Sequence, residues 1–215
     1  MGQIVANTFV TLDGVMQAPG GPDEDRSGGF AHGGWSVPFW SDDMHPVLAS
    51  GFARMGAILL GRGTYDIFAA HWPKITDEQD PGASLLNNAT KYVVSDTLER
   101  ADWRGTTIVR GRELDGALAR MRDEHAGEIQ VHGSPGLLRT LLARDLVDEL
   151  RLLVFPLLLG TGKRLFAEGA APARLSLAET QRFERGVVLL RYQRVGAPSY
   201  GSFAIDAEKS AAGAP

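Results

Sequence analysis

The chain has 215 residues, a formal net charge of −4 and 44% hydrophobic residues, which fits one globular domain with a substantial core. It has no basic stripe for nucleic acid, and without cysteine it has no disulfide, thiolate metal site or cysteine nucleophile. No apolar run approaches the roughly 20 residues of a membrane span and no signal segment opens the chain, so we expect a cytoplasmic protein with no membrane partner.

The N-terminal segment 2–12 is rich in apolar and β-branched residues and predicts a buried first strand. It stops at an Asp-Gly turn signal. The segment 13–46 that follows is rich in Gly, Pro and Asp but also carries aromatic residues. A loop this long is usually functional or disordered, and aromatics are uncommon in disordered linkers. We therefore favour a mobile loop that closes over a ligand, with Trp35 and Trp40 contacting substrate, over a floppy insert.

The next segment predicts a helix followed by a strand. Ser41 is a suitable N-cap, and Asp42 and Asp43 favour the first helical turn. Apolar positions within 47–55 mark the inner face of this helix. The apolar run over 57–60 then predicts a buried strand.

A Gly-Arg-Gly-Thr junction connects this strand to another helix. Gly61 and Gly63 allow the backbone to approach a ligand, and the N–H groups of the first helical turn can bind an anion. Arg62 adds a planar cationic donor fork and Thr64 a hydroxyl, so the junction predicts a phosphate site. The alternative is an ordinary turn in which the glycines bend the chain, Arg62 serves solubility and Thr64 caps the helix.

The rest of the chain alternates strands and helices before a final hairpin. We predict a helix over 83–89, strands over 91–95 and 106–109, a helix that begins near 114 and ends near 125–127, a strand over 128–132, a helix over 137–142 and a strand over 151–156. The segments 174–183 and 186–194 predict an antiparallel hairpin. Residues 196–215 lose periodicity and are expected to form a poorly ordered tail. The pattern predicts one α/β domain over 1–195, with a mainly parallel sheet and an antiparallel edge.

Two more glycine-bearing junctions follow predicted strands, Gly133 to Gly136 and Gly160 to Gly162. Glycine before a helix and Pro135 in its first turn suit a helix start that faces a ligand. In open α/β sheets, ligands bind at the carboxyl ends of strands. The agreement of three junctions at strand ends strengthens the anion-site interpretation.

Several familiar motifs fail on this sequence. No G-x-G-x-x-G follows a strand, and Gly162-Lys163 lacks the other residues of a P-loop. Ser134 resembles a nucleophile elbow, but His132 stands where the first glycine belongs, so we interpret Ser134 as a helix cap. The five histidines show no metal-ligand spacing, so we expect no metal site. His71 and His132 could each face a pocket, and we favour simply solvated or hydrogen-bonded histidines.

Taken in order, these segments resemble the dihydrofolate-reductase-like superfamily, and most closely the reductase domain of bifunctional riboflavin biosynthesis proteins (the RibD C-terminal type). The matching pieces are Thr11 to Gly14, Leu60 to Tyr65, Lys91 to Ser95, His132 to Gly136, Leu146 to Pro156, and Gly160 to Gly162 with Phe166. The resemblance spans about residues 3–195. It implies a mostly parallel mixed sheet of about eight strands flanked by helices, an antiparallel C-terminal hairpin, an NADPH cofactor and a homodimer.

The resemblance also implies a cofactor site. Its residues would be Gly61, Arg62, Gly63, Thr64, Ser95, Gly133, Ser134, Pro135 and Gly136. Ser95 would lie near the adenosine 2′-phosphate, and the segment 133–136 would receive the pyrophosphate at a helix N-terminus. Family members commonly have a second glycine where this chain has Ser134, which is small enough to preserve close approach.

The substrate side departs from dihydrofolate reductases. Those enzymes carry an acidic residue shortly after a Trp-x-x-Pro segment. Here the segment is Trp35 to Pro38, but Trp40 stands two residues later, and Asp42 and Asp43 are interpreted as helix-start residues. Folate reduction is therefore the weaker hypothesis. The chain also has neither the room nor the cysteines for the zinc deaminase domain of the bifunctional proteins.

We expect an NADPH-dependent reductase that transfers hydride to a small heterocyclic or sugar-phosphate substrate, as 5-amino-6-(5-phosphoribosylamino)uracil reductases do. Asp13 at the end of the first strand is the candidate catalytic residue, which orders the loop or relays a proton; a turn-capping Asp is the alternative. Dihydrofolate reductase activity and a non-catalytic nucleotide-binding relative are the rival hypotheses.

Overall fold

The computed structural model describes residues 1–80, 82–166 and 171–203. In chain order its strands and α-helices are β1 (Gln3–Thr11), α1 (His45–Ala53), β2 (Met55–Gly61), α2 (Arg62–His71), α3 (Ala83–Asn88), β3 (Thr90–Val94), β4 (Thr106–Val109), α4 (Leu114–Glu124), β5 (Glu128–His132), α5 (Pro135–Ala143), β6 (Glu149–Phe155), β7 (Arg174–Arg182) and β8 (Val188–Gly196). This order confirms the predicted alternation. No helix in these ranges is long and apolar enough to cross a membrane.

The strands form a single eight-stranded sheet in the order β4-β3-β2-β5-β1-β6-β8-β7. Strands β1 to β6 pair in parallel, whereas β8 pairs antiparallel with β6 and β7. The predicted fold class, a mostly parallel mixed sheet with an antiparallel C-terminal hairpin, is confirmed. The carboxyl ends of the six parallel strands therefore lie along one edge of the sheet.

Helices cover both faces of this sheet. On one face, α4 and α5 bury Leu118 and Leu138 in the same cluster as Ile4 of β1. On the other face, α2 and α3 pack against β2, with Tyr65 and Leu86 buried. Helix α1 lies on that second face as well, because its apolar residues pack into the clusters there.

The sheet reverses its winding between β1 and β5. The chain passes from β1 to β2 through α1 on one face, and from β5 to β6 through α5 on the other. Asn7 of β1 and His132 of β5 are opposite each other in this neighbouring pair. Such a reversal leaves a crevice outside the carboxyl ends of the two strands, where ligands bind in open α/β sheets.

The loop after β1 is packed into the core. Trp35 is 6% exposed, and its indole N–H donates to the carbonyl of Gln17 at 2.7 Å. Its ring meets Phe155 edge-on, with 5.2 Å between centroids. Phe30 joins the same buried cluster. The segment around Trp35 is therefore built as part of the core, which differs from the mobile lid that its composition suggested.

The start of α1 also differs from the prediction. The Ser41 hydroxyl donates to the Asp43 carboxylate at 2.5 Å and makes no capping bond to the backbone. A 3-10 turn over Asp42–Met44 follows, and the α-helix begins at His45. Met55, expected on the helix, lies in β2. The α-helix begins after this 3-10 turn because Pro46, which lacks an N–H group, is suited only to the first turn of a helix.

The C-terminal hairpin forms as predicted, from β7 and β8. Residues 197–203 contain no helix or strand, and the remainder of the expected tail, 204–215, lies outside the described residues. The domain boundary at residue 195 stays a prediction.

One charged side chain is fully buried beside α3. Lys91 is 0% exposed, and its Nζ donates to the carbonyls of Leu86, Asn87 and Ala89 at 3.1, 3.0 and 2.8 Å. These carbonyls end α3, where a cation also interacts favourably with the helix dipole. The ammonium lies 4.4 Å from the centre of the Trp103 ring. Burial lowers the pKa of Lys91 to about 8, so the ammonium is still mostly charged at neutral pH.

Replacing Lys91 with methionine should destabilise the fold, because three buried carbonyls lose their donor. We expect a loss of about 2–4 kcal/mol in the free energy of unfolding, measured by urea denaturation. The exposed Lys74 supplies a matched control, and Lys74→Met should change stability by less than about 0.5 kcal/mol. Equal stability of the two variants would show that the carbonyls do not depend on Lys91.

Candidate functional site

Two of the three glycine junctions meet at the carboxyl ends of β2 and β5. The N–H of Gly61 donates to Ser134 Oγ at 2.8 Å, and Ser134 Oγ donates to Thr64 Oγ1 at 2.7 Å. A β-carbon on Gly61 would lie 2.7 Å from the β-carbon of Ser134, so this contact requires glycine. These two predicted junctions therefore contact each other; phosphate binding by them stays a prediction.

The backbone before α5 is in the left-handed region. Gly133 has φ +69° and Ser134 has φ +62°. Glycine adopts this conformation without strain, whereas serine there needs support from its surroundings, which the two hydrogen bonds supply. Ser134 occupies the N-cap position of α5, as expected, but its side chain makes no capping bond to that helix. Its hydroxyl instead joins the start of α5 to the start of α2.

The first turns of α2 and α5 leave their backbone N–H groups without a side-chain cap. Gly63 and Gly136 lie in these turns, and no described atom lies within 4 Å of the β-carbon that either residue lacks. An anion can therefore approach the backbone of both helices. Two adjacent helix N-termini also add their partial positive charges.

A cavity of about 370 Å³ opens beside this junction. Its walls include Arg62, Val94, Leu114, Leu137, Thr140 and Arg144. Among the described residues, the guanidinium of each arginine is held only by a solvent-exposed ion pair, Arg62 with Asp66 at 2.7 Å and Arg144 with Asp115 at 2.9 Å. Exposed pairs of this kind contribute little, so both guanidinium groups can turn to a bound anion. The cavity thus combines apolar walls with two available cations.

Ser95 lies buried at the end of β3, next to the cavity residue Val94. Its hydroxyl oxygen accepts the N–H groups of Thr97 and Leu98 at 3.3 and 3.0 Å. Ser95 therefore shapes the turn that follows β3. Its contact with a cofactor phosphate stays a prediction.

Asp13 binds the loop that follows β6. Its carboxylate accepts the Thr11 hydroxyl at 2.6 Å and the N–H groups of Leu159 and Gly160 at 3.2 and 2.8 Å. The Thr11 hydroxyl, together with the N–H groups of Gly160 and Leu159, lowers the pKa of Asp13 to about 2 despite some burial. At neutral pH the carboxylate has no proton to donate. This geometry supports loop ordering over proton relay.

The third glycine junction is therefore separate from the other two. Gly160 belongs to the Asp13 contact. Gly162 has φ +115°, and a β-carbon there would lie 2.7 Å from the ring of Phe30. The junction over 160–162 packs the two loops together, and its recorded contacts are with Asp13 and Phe30 rather than with the other two junctions.

The two predicted substrate tryptophans differ in position. Trp40 is partly exposed, stacks on His45 with 6.2 Å between centroids, and meets Phe9 of β1 edge-on at 5.8 Å. Trp35 is buried with its indole N–H already bonded, which suits a packing role. Substrate contact by either residue stays a prediction.

The sheet also carries a polar layer that faces α1 and was not predicted from the sequence. Glu128, Gln130 and His132 alternate with apolar residues along β5, and this period of two is the signal that could have found them. Gln130 Nε2 donates to Glu128 at 2.6 Å and to the carbonyl of Gly51 in α1 at 2.8 Å. The amide oxygen of Gln130 therefore accepts from His132 Nε2 at 2.9 Å, which assigns the histidine tautomer.

His132 is neutral in this layer. Burial lowers its pKa to about 4. Its ring stacks on Phe52 with 5.8 Å between centroids. The expectation of a hydrogen-bonded His132 is confirmed, and His71 is exposed as expected. Within the described ranges, no group of three or more acidic or histidine side chains could hold a metal ion.

The polar layer continues across the sheet as an ion chain. Arg151 of β6 binds Glu128 through two 3.0 Å contacts and Glu149 at 2.7 Å. Arg54, at the end of α1, also binds Glu128 at 2.7 Å. Burial alone would raise the pKa of Glu128, but the guanidinium groups of Arg151 and Arg54 outweigh it and lower that pKa to about 2. This row of ion pairs connects α1 to the sheet at the point where the winding reverses.

Comparison with known proteins agrees with this fold. A family model described as the RibD C-terminal domain matches residues 3–189. Among curated proteins, the uncharacterized protein YyaP of Bacillus subtilis (strain 168) is 27% identical over 199 residues, which cover 88% of this chain and 94% of that protein.

Solved structures share the architecture. A putative riboflavin biosynthesis protein from Shewanella sp. PV-4 has a TM-score of 0.68 and 20% identity, covering 91% of this chain and 99% of that one. A diaminohydroxyphosphoribosylaminopyrimidine deaminase/5-amino-6-(5-phosphoribosylamino)uracil reductase from Thermotoga maritima has a TM-score of 0.61 and 14% identity, covering 90% and 57%. A dihydrofolate reductase from Enterococcus faecalis complexed with NADP(H) has a TM-score of 0.57 and 13% identity, covering 90% and 96%. These likenesses show a dihydrofolate-reductase-like fold and confirm the resemblance seen in the sequence.

The Asp13 contact predicts a pH-dependent contribution to stability. Because the pKa falls from 3.8 to about 2 on folding, the contribution is complete above pH 3.8 and is lost as the pH falls towards 2. Asp13→Asn should therefore lower the free energy of unfolding by ~1 kcal/mol at neutral pH, after allowance for solvent exposure. The difference from the unmodified protein should narrow below about pH 4.

Urea denaturation over a pH series measures this difference, with Asp23→Asn on the exposed loop as the matched control. A difference that stays constant down to pH 3 would contradict the loop-ordering role. Loss of activity at unchanged stability would instead favour the proton relay.

Proposed function

Because the chain belongs to the RibD C-terminal domain family, we propose that it is an NADPH-dependent reductase that acts on a small heterocyclic or sugar-phosphate substrate. The observation that carries this proposal is the junction where α2 and α5 present uncapped N-termini beside Arg62 and Arg144. The names of two structural neighbours support it, one a 5-amino-6-(5-phosphoribosylamino)uracil reductase and one a reductase complexed with NADP(H). A 5-amino-6-(5-phosphoribosylamino)uracil reductase-like activity is the specific form we propose.

The residues of the junction fit the phosphates of the cofactor. The open space over Gly63 and Gly136 gives a pyrophosphate access to the backbone N–H groups of two helices. Thr64 accepts the Ser134 hydroxyl and so keeps its own proton to donate to a phosphate oxygen. Arg62 can exchange its exposed partner Asp66 for a phosphate, which binds guanidinium more strongly.

Bound NADPH would supply the hydride, while the chain binds and orients both reactants and excludes water. The crevice between β1 and β5 would receive the substrate, with Phe9, Trp40 and Phe52 as aromatic walls. His132 is neutral and Asp13 is ionised at neutral pH. Neither group would therefore act as a general acid at neutral pH.

Dihydrofolate reduction is the second candidate, favoured by the fold. The acidic residues nearest the Trp-x-x-Pro segment are not positioned to bind a pteridine ring. Asp43 accepts the Ser41 hydroxyl at 2.5 Å and the N–H of Glu184 at 3.0 Å, and Asp42 is exposed. NADPH oxidation measured with dihydrofolate and with the riboflavin precursor separates the two activities. Nucleotide binding without oxidation of either compound would support a non-catalytic relative.

We also propose a homodimer. Strand β7 is the edge of the sheet, and an unpaired edge strand favours pairing with another chain. Leu175, Leu177 and Val195 are exposed on the hairpin. Light scattering should therefore give twice the 23.1 kDa mass of one chain. A monomer that remains fully active would contradict a role for the dimer.

Arg62→Ala should weaken NADPH binding about tenfold, because one charge-assisted phosphate contact is lost. A titration that follows nicotinamide fluorescence measures this change, with NADH titrated in parallel. A larger loss for NADPH places Arg62 at the 2′-phosphate, and equal losses place it at the pyrophosphate.

Arg100→Ala is the matched control, since Arg100 also forms an exposed ion pair but lies away from the cavity. Its affinity for both nucleotides should be unchanged. Unchanged affinity in Arg62→Ala would remove Arg62 from the site.

A further inference from the structure

The cavity beside the junction of α2 and α5 extends well beyond the two helix N-termini. Gly136 and Thr140 of α5 line it, and so does Arg144, which directly follows that helix. These residues recur at intervals of four, so they lie on one side of the helix. With a rise of about 1.5 Å per residue, Arg144 lies roughly 12 Å along α5 from Gly136. Arg144 is therefore at the other end of the cavity from the N–H groups that would hold a phosphate.

Apolar side chains from three separate elements contribute to the walls of this cavity. They are Val94 of β3, Leu114 of α4 and Leu137 of α5. Leu114 and Leu137 are themselves buried in the core, which fixes their positions. Apolar walls with a few polar groups at the ends suit a flat ring. A ligand that places phosphates at the helix N-termini and a flat ring beyond them is a nucleotide.

An ion pair between α4 and the end of α5 lies at the Arg144 end of the cavity. Arg144 Nη1 donates to Asp115 Oδ1 at 2.9 Å, and Asp115 directly follows the wall residue Leu114. Among the described residues, Asp115 Oδ2 and the other N–H groups of the Arg144 guanidinium have no further protein partner. The pair therefore offers a carboxylate acceptor beside guanidinium donors.

An acceptor beside a donor matches one edge of adenine. That edge carries the 6-amino group, which donates, and N7, which accepts. Asp115 would accept from the amino group while Arg144 donates to N7. Guanine and hypoxanthine have an oxygen at position 6, so both atoms of the same edge are acceptors. That oxygen would face the Asp115 carboxylate with no proton between them, and the carboxylate would lose water without gaining a hydrogen bond.

We propose that Asp115 and Arg144 determine which base the cofactor carries, by binding the 6-amino group and N7 of adenine. This inference rests on the proposed NADPH-dependent reductase and deepens it. Neither residue belongs to the segments that carry the sequence resemblance, so the assignment comes from the cavity alone. Arg62 and the two helix N-termini then take the phosphates, and each arginine of the cavity binds a separate part of the cofactor.

The hypoxanthine analogue of NADPH tests this assignment, because an oxygen replaces the 6-amino group of its base. Titrations of the full chain that follow nicotinamide fluorescence measure the affinity of both compounds. We expect NADPH to bind about fivefold more tightly, at the lower end of the range for a base contact because the ion pair is solvent-exposed. ADP and IDP, titrated by calorimetry, should show the same preference in the absence of nicotinamide.

Asp115→Ala is the decisive variant, because it removes the acceptor for the amino group and should abolish the preference for adenine. Asp123→Ala removes an exposed carboxylate from the same helix and should keep the full preference. Asp115→Asn replaces Asp115→Ala if that variant does not fold, since an amide offers both a donor and an acceptor and should also lose the preference. Arg144→Ala should weaken NADPH and NADH equally, whereas Arg139→Ala on the exposed side of α5 should weaken neither.

Three outcomes would overturn the proposal: equal affinity for NADPH and its hypoxanthine analogue, an unchanged preference in the Asp115 variants, or a larger loss for NADPH than for NADH in Arg144→Ala, which would place Arg144 at the 2′-phosphate. The reductase function can fail separately. Selective binding of ADP over IDP, without NADPH oxidation by dihydrofolate or the riboflavin precursor, would reject the reductase alone. NADPH oxidation with equal affinity for the two bases would reject the role of Asp115 and Arg144 alone. No saturable binding of any of these nucleotides would reject both.

Discussion

The site depends on one hydroxyl group, that of Ser134. It accepts the N–H that ends β2 and donates to Thr64 at the start of α2, so a single side chain joins two strand-to-helix junctions. This bond is possible because Gly61 has no side chain to hold the backbones apart. The left-handed conformation of Ser134 is strained for a residue with a β-carbon, and the two bonds offset that strain. The N-termini of α2 and α5 are thereby held side by side. Together they present more free N–H donors to an anion than either helix does alone.

Buried ion pairs connect α1 to the sheet beside this junction. Where α1 crosses the sheet, the buried positions are occupied by charged residues instead of apolar ones, namely Arg151, Glu128 and Glu149. Buried ion pairs are weak contributors to stability, because desolvation offsets most of their attraction. Their effect here is geometric: Arg54 and Gln130 extend the layer to α1 and fix the distance between that helix and the sheet.

Most of the fold could be predicted from the sequence, because strands and helices are local patterns. The runs over 57–60 and 151–156 and the final hairpin needed only period and turn signals. The junction of Gly61 with Ser134 could not be predicted from the residues alone, since it joins positions far apart in the chain. The contact between Asp13 and Gly160 also joins positions far apart in the chain, so the sequence did not show that the third glycine junction packs against the loop after β1. The packed loop around Trp35 differs from the predicted mobile loop for another reason: composition alone does not show whether an aromatic ring closes over a ligand or fills the core.

The polar layer also explains why the fold by itself does not determine the substrate. A dihydrofolate-reductase-like sheet always has a crevice at its reversal point, but the side chains there differ from chain to chain. In this chain Glu128 and Glu149 are saturated by arginine, so the acids present cannot serve as partners for a basic ring. A glutamate whose oxygens are all bound by arginine is no longer available to a ligand, so burial of these acids is tolerated because the protein itself neutralises them.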